Sequence, residues 1–323
     1  MATGVALQAG TSPWRRGEAV VLVALGAALA IAAVWAIVSP GTFDLPGLGA
    51  RALGAAALYA LAHLLRILRL ALLVHRPGLR TRRVALVHLF SAGLGLLLPF
   101  KLNELVRIRE VGRLCGSWRT GLVAVWLERA LDAAVLTVLL TVALIGNRDL
   151  VDEITSVLLV LGGFVALTVL LVTVLPDNLR GLMLHLVRRP GGERSVRLLT
   201  VLRGALATLG GGPALLRGRL PTLLLLSLAI WLMELLVVAV AVRGIDVTLA
   251  EVSAASLGVL SGVSFAVTAL APGSADGLMD ALDGLGPVAD VDLYRLALVL
   301  PLLLAGAAAG AWYLPGRLDG RRR

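Results

Sequence analysis

The chain has 323 residues, of which 59% are hydrophobic and only 15% are charged, and this composition excludes soluble globular and intrinsically disordered proteins. Its formal net charge of +10 resides mainly in arginines beside apolar segments, which is typical of membrane-protein loops and argues against nucleic-acid binding. One cysteine cannot form an internal disulfide, and the four histidines are scattered, so we expect no metal and no other cofactor. The composition therefore predicts a multi-pass membrane protein.

Apolar segments long enough to cross a bilayer recur along the chain, separated by charged loops. The first follows a polar cytoplasmic tail, residues 1–18, and lacks a signal-peptide cleavage pattern, so we interpret it as a retained span. The predicted spans are 19–38, 52–74, 118–145, 154–175, 221–242 and 294–314. Two further apolar stretches, 84–98 and 252–270, are too short or too interrupted to cross.

The positions of the arginines predict the topology, because basic loops remain on the cytoplasmic side of the membrane. Residues 75–83 carry four arginines and loop 176–220 carries eight, so both are predicted inside, together with the two termini. This requires residues 84–98 and 103–116 to form a helical hairpin that enters and leaves on the cytoplasmic side. Five aspartates and no basic residue in 271–292 predict a second hairpin, which enters from outside. The second hairpin comprises residues 252–270 and about 276–288.

Together these assignments predict an all-α membrane helix bundle with six full spans and two re-entrant hairpins, arranged as an inverted repeat. A single integral membrane domain covers residues 19–316, and a basic cytoplasmic tail follows at 317–323. The cytoplasmic loop 176–220 places apolar residues on one helical face between residues 198 and 209. This segment is expected either to contact anionic inner-leaflet lipid or to pack on the membrane domain.

Inverted-repeat transporters bind their substrates at the tips of such hairpins. The predicted tips are Pro99–Asn103 and Pro272–Asp276. Asn103 is predicted to cap a helix that begins at Glu104, whose free amide N–H groups would stabilise a phosphate or carboxylate. Lys101 and Arg107 would add positive charge to the same place, so an anionic head group is the expected ligand. The alternative is a surface amphipathic helix in which Glu104 pairs with Arg107.

Charged residues inside spans are costly in lipid, so we expect them to face protein or a polar cavity. Glu128, Arg129 and Asp132 lie within little more than one turn of a predicted span. Glu234 lies mid-span and requires either a proton or an arginine from another helix. The cluster either positions a ligand or only fixes helix packing. The expected partners are long basic side chains of the cytoplasmic half, namely Arg66, Arg107 and Arg69, although Arg69 can instead snorkel to the interface.

The sequence contains no motif that predicts an enzyme. A P-loop, a nucleotide-binding glycine motif, CxxC and HExxH are all absent from it. The run Gly262-Val-Ser264-Phe-Ala266 lies in a membrane segment and only distantly matches a nucleophile elbow. We therefore expect no catalytic residues.

The residues around the first hairpin resemble a known family. The run Pro99-Phe-Lys101-Leu-Asn103-Glu104, then Arg107 and Glu128-Arg129-Ala-Leu-Asp132, is similar to the P-x-R-x-G-E…R…E-R-x-x-D pattern of the lysylphosphatidylglycerol synthase transmembrane domain. Lys101 replaces the usual Arg and Asn103 the usual Gly. The likeness extends to the second half of that domain, through Trp231 with Glu234 and the Ala-Pro-Gly run at 271–273.

The resemblance implies a flippase of the cell membrane that moves an anionic or phosphate-bearing lipid, without the soluble aminoacyl transferase domain fused to some members. The expected substrate-binding residues are those of the hairpin and spans, namely Lys101, Asn103, Glu104, Arg107, Glu128, Arg129, Asp132, Arg66 and Glu234. A membrane-embedded subunit of a glycosyl- or lipid-transferase system is the alternative. A structural membrane protein whose charges only hold its helices together is a third interpretation. Homo-oligomerisation and a separate transferase partner stay open.

Overall fold

The computed structural model describes residues 21–27, 31, 49–75, 79–98, 102–146, 151–188, 192–241 and 300–318. In this part of the chain all regular secondary structure is helical and no β-strand occurs, which confirms the all-α class. Lys101, most of the first predicted span and the whole second hairpin lie outside the described residues.

Ten α-helices are described after residue 48, and we number them in chain order. They are α1 (Gly49–Leu73), α2 (Thr81–Leu97), α3 (Leu102–Leu114), α4 (Trp118–Gly146), α5 (Val151–Val169), α6 (Leu175–Val187), α7 (Glu193–Leu209), α8 (Gly211–Leu216), α9 (Leu220–Ala241) and α10 (Leu300–Leu318).

Several of these helices are suited to crossing a bilayer, so the protein is a multi-pass membrane protein. Four segments are long and apolar enough by length and composition: Leu53–Leu73, Thr155–Val187, Ser195–Leu216 and Leu220–Val237. Helix α4 coincides with the predicted span 118–145 and is about 43 Å long, although it carries the charged cluster. The number of spans and the two re-entrant hairpins stay predictions.

The predicted span 154–175 is part of a much longer helix. A π-helical turn, Leu170–Val174, joins α5 to α6 without a break. Pro176 occupies the start of α6, where its missing N–H is tolerated. The helical segment 155–187 is about 50 Å long and therefore exceeds a hydrocarbon core of about 30 Å.

The predicted loop 176–220 is largely helical, since it contains most of α6 and all of α7 and α8. The amphipathic helix expected at 198–209 is present as α7, in which Leu202 is buried while Leu198 and Val201 are exposed. Its contact with the inner leaflet stays a prediction.

Helices α2 and α3 form an antiparallel pair. Asn103 near the start of α3 donates to the carbonyl oxygen of Ser91, and Arg107 one turn later lies against His88. A Cβ atom on Gly95 would lie 2.8 Å from the Asn103 amide nitrogen, so glycine leaves the space that this side chain fills. With 17 and 13 residues, the two helices are about 25 and 20 Å long, which is shorter than a hydrocarbon core.

A tight turn reverses the chain between α3 and α4. Gly116 adopts φ 72°, and the N–H groups of Gly116 and Ser117 donate to the carbonyl oxygens of Arg113 and Gly112, as in a Schellman cap. At Gly121 a Cβ atom would lie 2.5 Å from the Gly112 nitrogen. The backbones of α3 and α4 therefore touch close to the turn that joins them, and this contact fixes the register of α3 against α4.

Two apolar clusters hold the described helices together. One joins α2 to α10 and to the helical residues 21–27, and its buried members include Leu22, Phe90, Leu94 and Leu303. The other joins α1, α3, α4 and α9, with buried members that include Leu70, Val111, Leu127 and Leu223. The second cluster supports the charged side chains of the same four helices.

Candidate functional site

Charged side chains from α1, α3, α4 and α9 meet in one cluster, which we call the charge network. It joins four arginines to four carboxylates, so its formal charges cancel. Nearly all of these side chains occupy helices whose other positions are mostly apolar. The ion pairs are Arg66–Glu234, Arg69–Asp132, Arg107–Glu128 and Arg129–Glu104.

Arg69 lies at the centre of the network and is only 1% exposed. Its Nη1 and Nη2 atoms lie 2.5 and 3.1 Å from the two carboxylate oxygens of Asp132, which is bidentate geometry. Nη1 also donates to Ser227 Oγ at 2.7 Å, and Nη2 lies 3.6 Å from Glu128 Oε1. Arg69 therefore pairs with the carboxylates of α4, as predicted, and does not snorkel to the interface, because these groups bind its two terminal nitrogens inside the protein.

Asp132 is held by more than Arg69. Trp231 on α9 donates from Nε1 to Asp132 Oδ1 at 3.3 Å, and Arg129 Nη1 lies 3.3 Å from Oδ2. Three donors on α1, α4 and α9 therefore converge on one carboxylate, which fixes its orientation and links the three helices. Ser227 was not expected to contribute, and Trp231 was singled out only through the resemblance in the second half, with no role predicted for it.

Arg107 and Glu128 form the buried link between α3 and α4. Arg107 Nη2 lies 2.6 Å from Glu128 Oε2, and both side chains are almost completely buried. Of the three partners predicted for the α4 cluster, Arg107 and Arg69 therefore contact Glu128. The surface-helix alternative is wrong, because this helix is buried at Arg107 and both Glu104 and Arg107 pair with α4 residues.

A pair of buried histidines extends the network. Arg107 Nη2 lies 3.3 Å from His88 Nδ1, and His88 Nε2 lies 3.1 Å from His63 Nδ1. Because a guanidinium only donates, His88 Nδ1 must accept, so His88 carries its proton on Nε2 and donates it to His63. His63 is then neutral and protonated on Nε2, an atom with no hydrogen-bond partner in the described part of the chain. No feature of the sequence predicted that these two histidines would meet.

Asn103 does not cap α3 as predicted. The helix begins at Leu102, so Asn103 lies inside the first turn, and its side-chain amide donates to the Ser91 carbonyl oxygen at 3.2 Å. Packing against Gly95 draws this side chain towards α2 and away from the end of its own helix. Asn103 therefore joins the two arms of the hairpin. Lys101, the remaining tip residue, lies outside the described residues.

The Glu104–Arg129 pair forms the accessible edge of the network. Arg129 Nη2 lies 2.5 Å from Glu104 Oε1, and the side chains are 43% and 20% exposed, respectively. Asp132 contacts the other terminal nitrogen of Arg129, at 3.3 Å. The guanidinium is thus shared by a buried carboxylate on its own helix and a more accessible one at the hairpin tip.

Glu234 obtains the arginine that its mid-span position requires. Arg66 of α1 pairs with it through Nη2 and Oε1, and both side chains are mostly buried. Arg66 therefore pairs with a carboxylate of α9 and not, as predicted, with the carboxylates of α4. The sequence left a protonated Glu234 open as an alternative, and the ion pair makes that proton unnecessary.

A second polar contact attaches the base of the hairpin to α10. The Tyr313 hydroxyl donates to Glu110 Oε2, while Arg113 Nη1 lies 3.6 Å from Glu110 Oε1. Beside it, the Arg82 guanidinium lies 4.8 Å from the centre of the Trp312 ring, in cation–π geometry. The sequence analysis did not single out any of these residues. In the described residues no group of three or more His, Cys, Asp or Glu side chains could hold a metal ion.

Comparison with known proteins shows the family of this chain. The family model of the lysylphosphatidylglycerol synthase TM region matches residues 17–281, which include every residue of the charge network. No curated protein and no solved structure gives a significant match. Because the matched region covers well over half of the chain, this protein belongs to the family of the lysylphosphatidylglycerol synthase transmembrane region.

Proposed function

We propose that this protein is a lipid translocase, which moves an anionic or phosphate-bearing lipid across the cytoplasmic membrane. Its family is named after the transmembrane region of a lipid-modifying synthase, which supports a membrane protein that handles lipid. The charge network supports the finer statement, because it keeps ionic groups among apolar helices.

The partly exposed side chain of Arg129 is the observation that carries the proposal. Arg129 lies about 16 Å along α4 by helical rise, so it is well inside a hydrocarbon core about 30 Å thick when α4 crosses it. A charge at such a depth costs about 2.5–3.5 kcal/mol on insertion scales. A purely structural ion pair gains nothing from remaining 43% exposed there, whereas a binding site requires access.

The α2–α3 hairpin supports a site at this depth. Its base meets α4 where Gly112 approaches Gly121, and its tip meets α4 where Glu104 pairs with Arg129. These two contacts are eight residues apart on α4, or about 12 Å. The hairpin tip therefore lies partway along α4, as a re-entrant hairpin requires.

In the proposed mechanism the lipid phosphate binds at Arg129 while the acyl chains remain in the bilayer. Asp132 holds Nη1 of the Arg129 guanidinium, and the phosphate would bind at Nη2, the atom that Glu104 contacts in this structure. Arg107, buried against Glu128, acts through its positive potential and by holding the hairpin to α4. Lys101 and the second hairpin would complete the site, and Arg66–Glu234 would hold α1 to α9.

The experiment that tests the proposal is lipid translocation in liposomes. Purified protein is reconstituted with fluorescent phosphatidylglycerol, and an impermeant reductant then reports how much probe crosses between the leaflets. Arg129→Gln should slow the crossing at least about tenfold, because a hydrogen bond to a charged group contributes about 1.5–3 kcal/mol.

Arg180→Gln is the matched control, because Arg180 also pairs with an aspartate three residues away, at 3.1 Å, but is exposed outside the network. This variant should translocate lipid at the wild-type rate. Equal rates for the wild type and Arg129→Gln would contradict the proposed site. Product formation from a lipid-linked donor in detergent would instead indicate a transferase.

A further inference from the structure

We propose that the Glu104 carboxylate occupies the place of the substrate phosphate at Arg129, and that the arriving phosphate displaces it. Glu104 is thus an internal competitor whose release accompanies substrate binding. This inference rests on the proposed function, since it describes how the same site receives its lipid.

The four ion pairs of the network differ in access, and this difference singles out Glu104. The Asp132 and Glu128 side chains are 6% and 0% exposed, so a ligand cannot reach the contacts that they make with their arginines. The Arg66–Glu234 pair is also mostly buried. Among the described pairs of the network, the Arg129–Glu104 pair has the most exposed arginine side chain, at 43%.

The geometry at Arg129 suits an exchange of one anion for another. Glu104 contacts Nη2 and Asp132 contacts Nη1, so the departure of Glu104 leaves the guanidinium held in place by a buried carboxylate. A phosphate oxygen prefers the same planar donors as a carboxylate oxygen. An incoming group with one negative charge takes over the role of the Glu104 carboxylate at Arg129. The network stays formally neutral when the released carboxylate turns to water or takes up a proton.

The exchange also links binding to the hairpin. Glu104 lies in the first turn of α3, at the tip, whereas Arg107 one turn later remains joined to Glu128. Loss of the Glu104 contact would release the tip from α4 and leave the base attached. A ligand that binds better when the tip is free shifts the hairpin towards that state.

Binding in detergent tests the exchange without requiring transport. Fluorescent phosphatidylglycerol is titrated into the wild type, Glu104→Gln, Arg129→Gln and the double variant, with fluorescent phosphatidylcholine as the zwitterionic comparison. Glu104→Gln should bind phosphatidylglycerol about two- to fivefold more tightly, since an accessible ion pair contributes up to about 1 kcal/mol. Arg129→Gln should weaken binding, and Glu104→Gln should give no gain when Arg129 is absent.

Two further arms make the result decisive. Glu104→Asp retains the charge but shortens the reach, so it should also tighten binding, and it replaces Glu104→Gln if that variant does not fold. Inorganic phosphate that competes with the fluorescent lipid at millimolar concentration would indicate a site for free phosphate, whereas competition by unlabelled phosphatidylglycerol alone indicates a lipid head group. Unchanged or weaker binding by both Glu104 variants would overturn the exchange.

The outcome separates this inference from the proposed function. Lipid translocation without tighter binding in the Glu104 variants would retain transport and reject the exchange. Tighter binding that depends on Arg129, in a protein that does not translocate lipid, would retain the exchange and reject transport.

Discussion

Helices α1 and α9 differ from the long helix formed by α5 and α6, although all of them are apolar enough to cross a membrane. In the segments Leu53–Leu73 and Leu220–Val237, 33% and 28% of the residues are buried inside the protein, compared with 6% in Thr155–Val187. The first two helices carry Arg66, Arg69 and Glu234, whereas residues 155–176 contain no charged side chain. The long helix is therefore apolar and mostly exposed, whereas the apolar helices that carry charged residues are more deeply buried in the protein.

The largest expected effect lies in the charge network. Arg69→Met should destabilise the protein by about 3–5 kcal/mol, because it leaves Asp132 and Glu128 buried without their shared cation. Thermal unfolding in detergent measures the loss. Arg180→Met removes an arginine with an exposed partner and should change the stability by less than about 0.5 kcal/mol. Similar stability in both variants would mean that the charge network contributes no more to stability than the exposed Arg180–Asp177 pair.

A smaller effect is expected from a glycine-to-alanine substitution, made once on α4 and once on α5. Gly121→Ala would place a Cβ atom 2.5 Å from the Gly112 nitrogen, so the α3–α4 contact must open at a cost of about 1–3 kcal/mol. At Gly163 on α5 nothing lies within 4 Å of an added Cβ, and alanine should stabilise the helix by about 0.5–1 kcal/mol. Unfolding midpoints of the two variants should therefore shift in opposite directions, and shifts of the same sign would contradict the close approach.

Asn103→Ala should have a modest effect of about 1 kcal/mol, because it removes the hydrogen bond to the Ser91 carbonyl oxygen and the contact with Gly95. Thr200→Ala is the control, since its exposed hydroxyl bonds only within its own helix, to the Val196 carbonyl oxygen. Thermal unfolding compares the two variants. Equal midpoints would mean that Asn103 does not join the two arms of the hairpin.

The last prediction changes no residue and concerns the protonation of the two buried histidines. Nitrogen-15 NMR of the imidazoles should show His63 and His88 as neutral rings protonated on Nε2 at neutral pH, as the donor-only Arg107 guanidinium requires. The exposed His75 and His185 provide the comparison, because their ring N–H protons should exchange rapidly with water. A signal from an Nδ1-protonated His88 would contradict the arrangement.

Much of the fold followed from the sequence. Apolar length and arginine-rich loops predicted helices at 52–74, 118–145 and 221–242, and each is present. The ends of α5 and α3 were less predictable. The predicted span 154–175 ends just before Pro176, yet a π-helical turn joins it to α6 and the helix continues. Asn103 has the residue type of an N-cap, but its side chain instead donates to the Ser91 carbonyl oxygen on the neighbouring helix α2.

The sequence by itself determined that this chain inserts into a membrane and belongs to its family. It also determined that ionic groups lie within otherwise apolar segments, because the cost of a charge in hydrocarbon leaves a pattern in composition and spacing. Tertiary structure alone decided which arginine meets which carboxylate. Arg66 and Arg69 are one turn apart on α1, yet one pairs with α9 and the other with α4. Such pairings depend on how helices distant in the chain are rotated and aligned, and local sequence carries no record of that geometry.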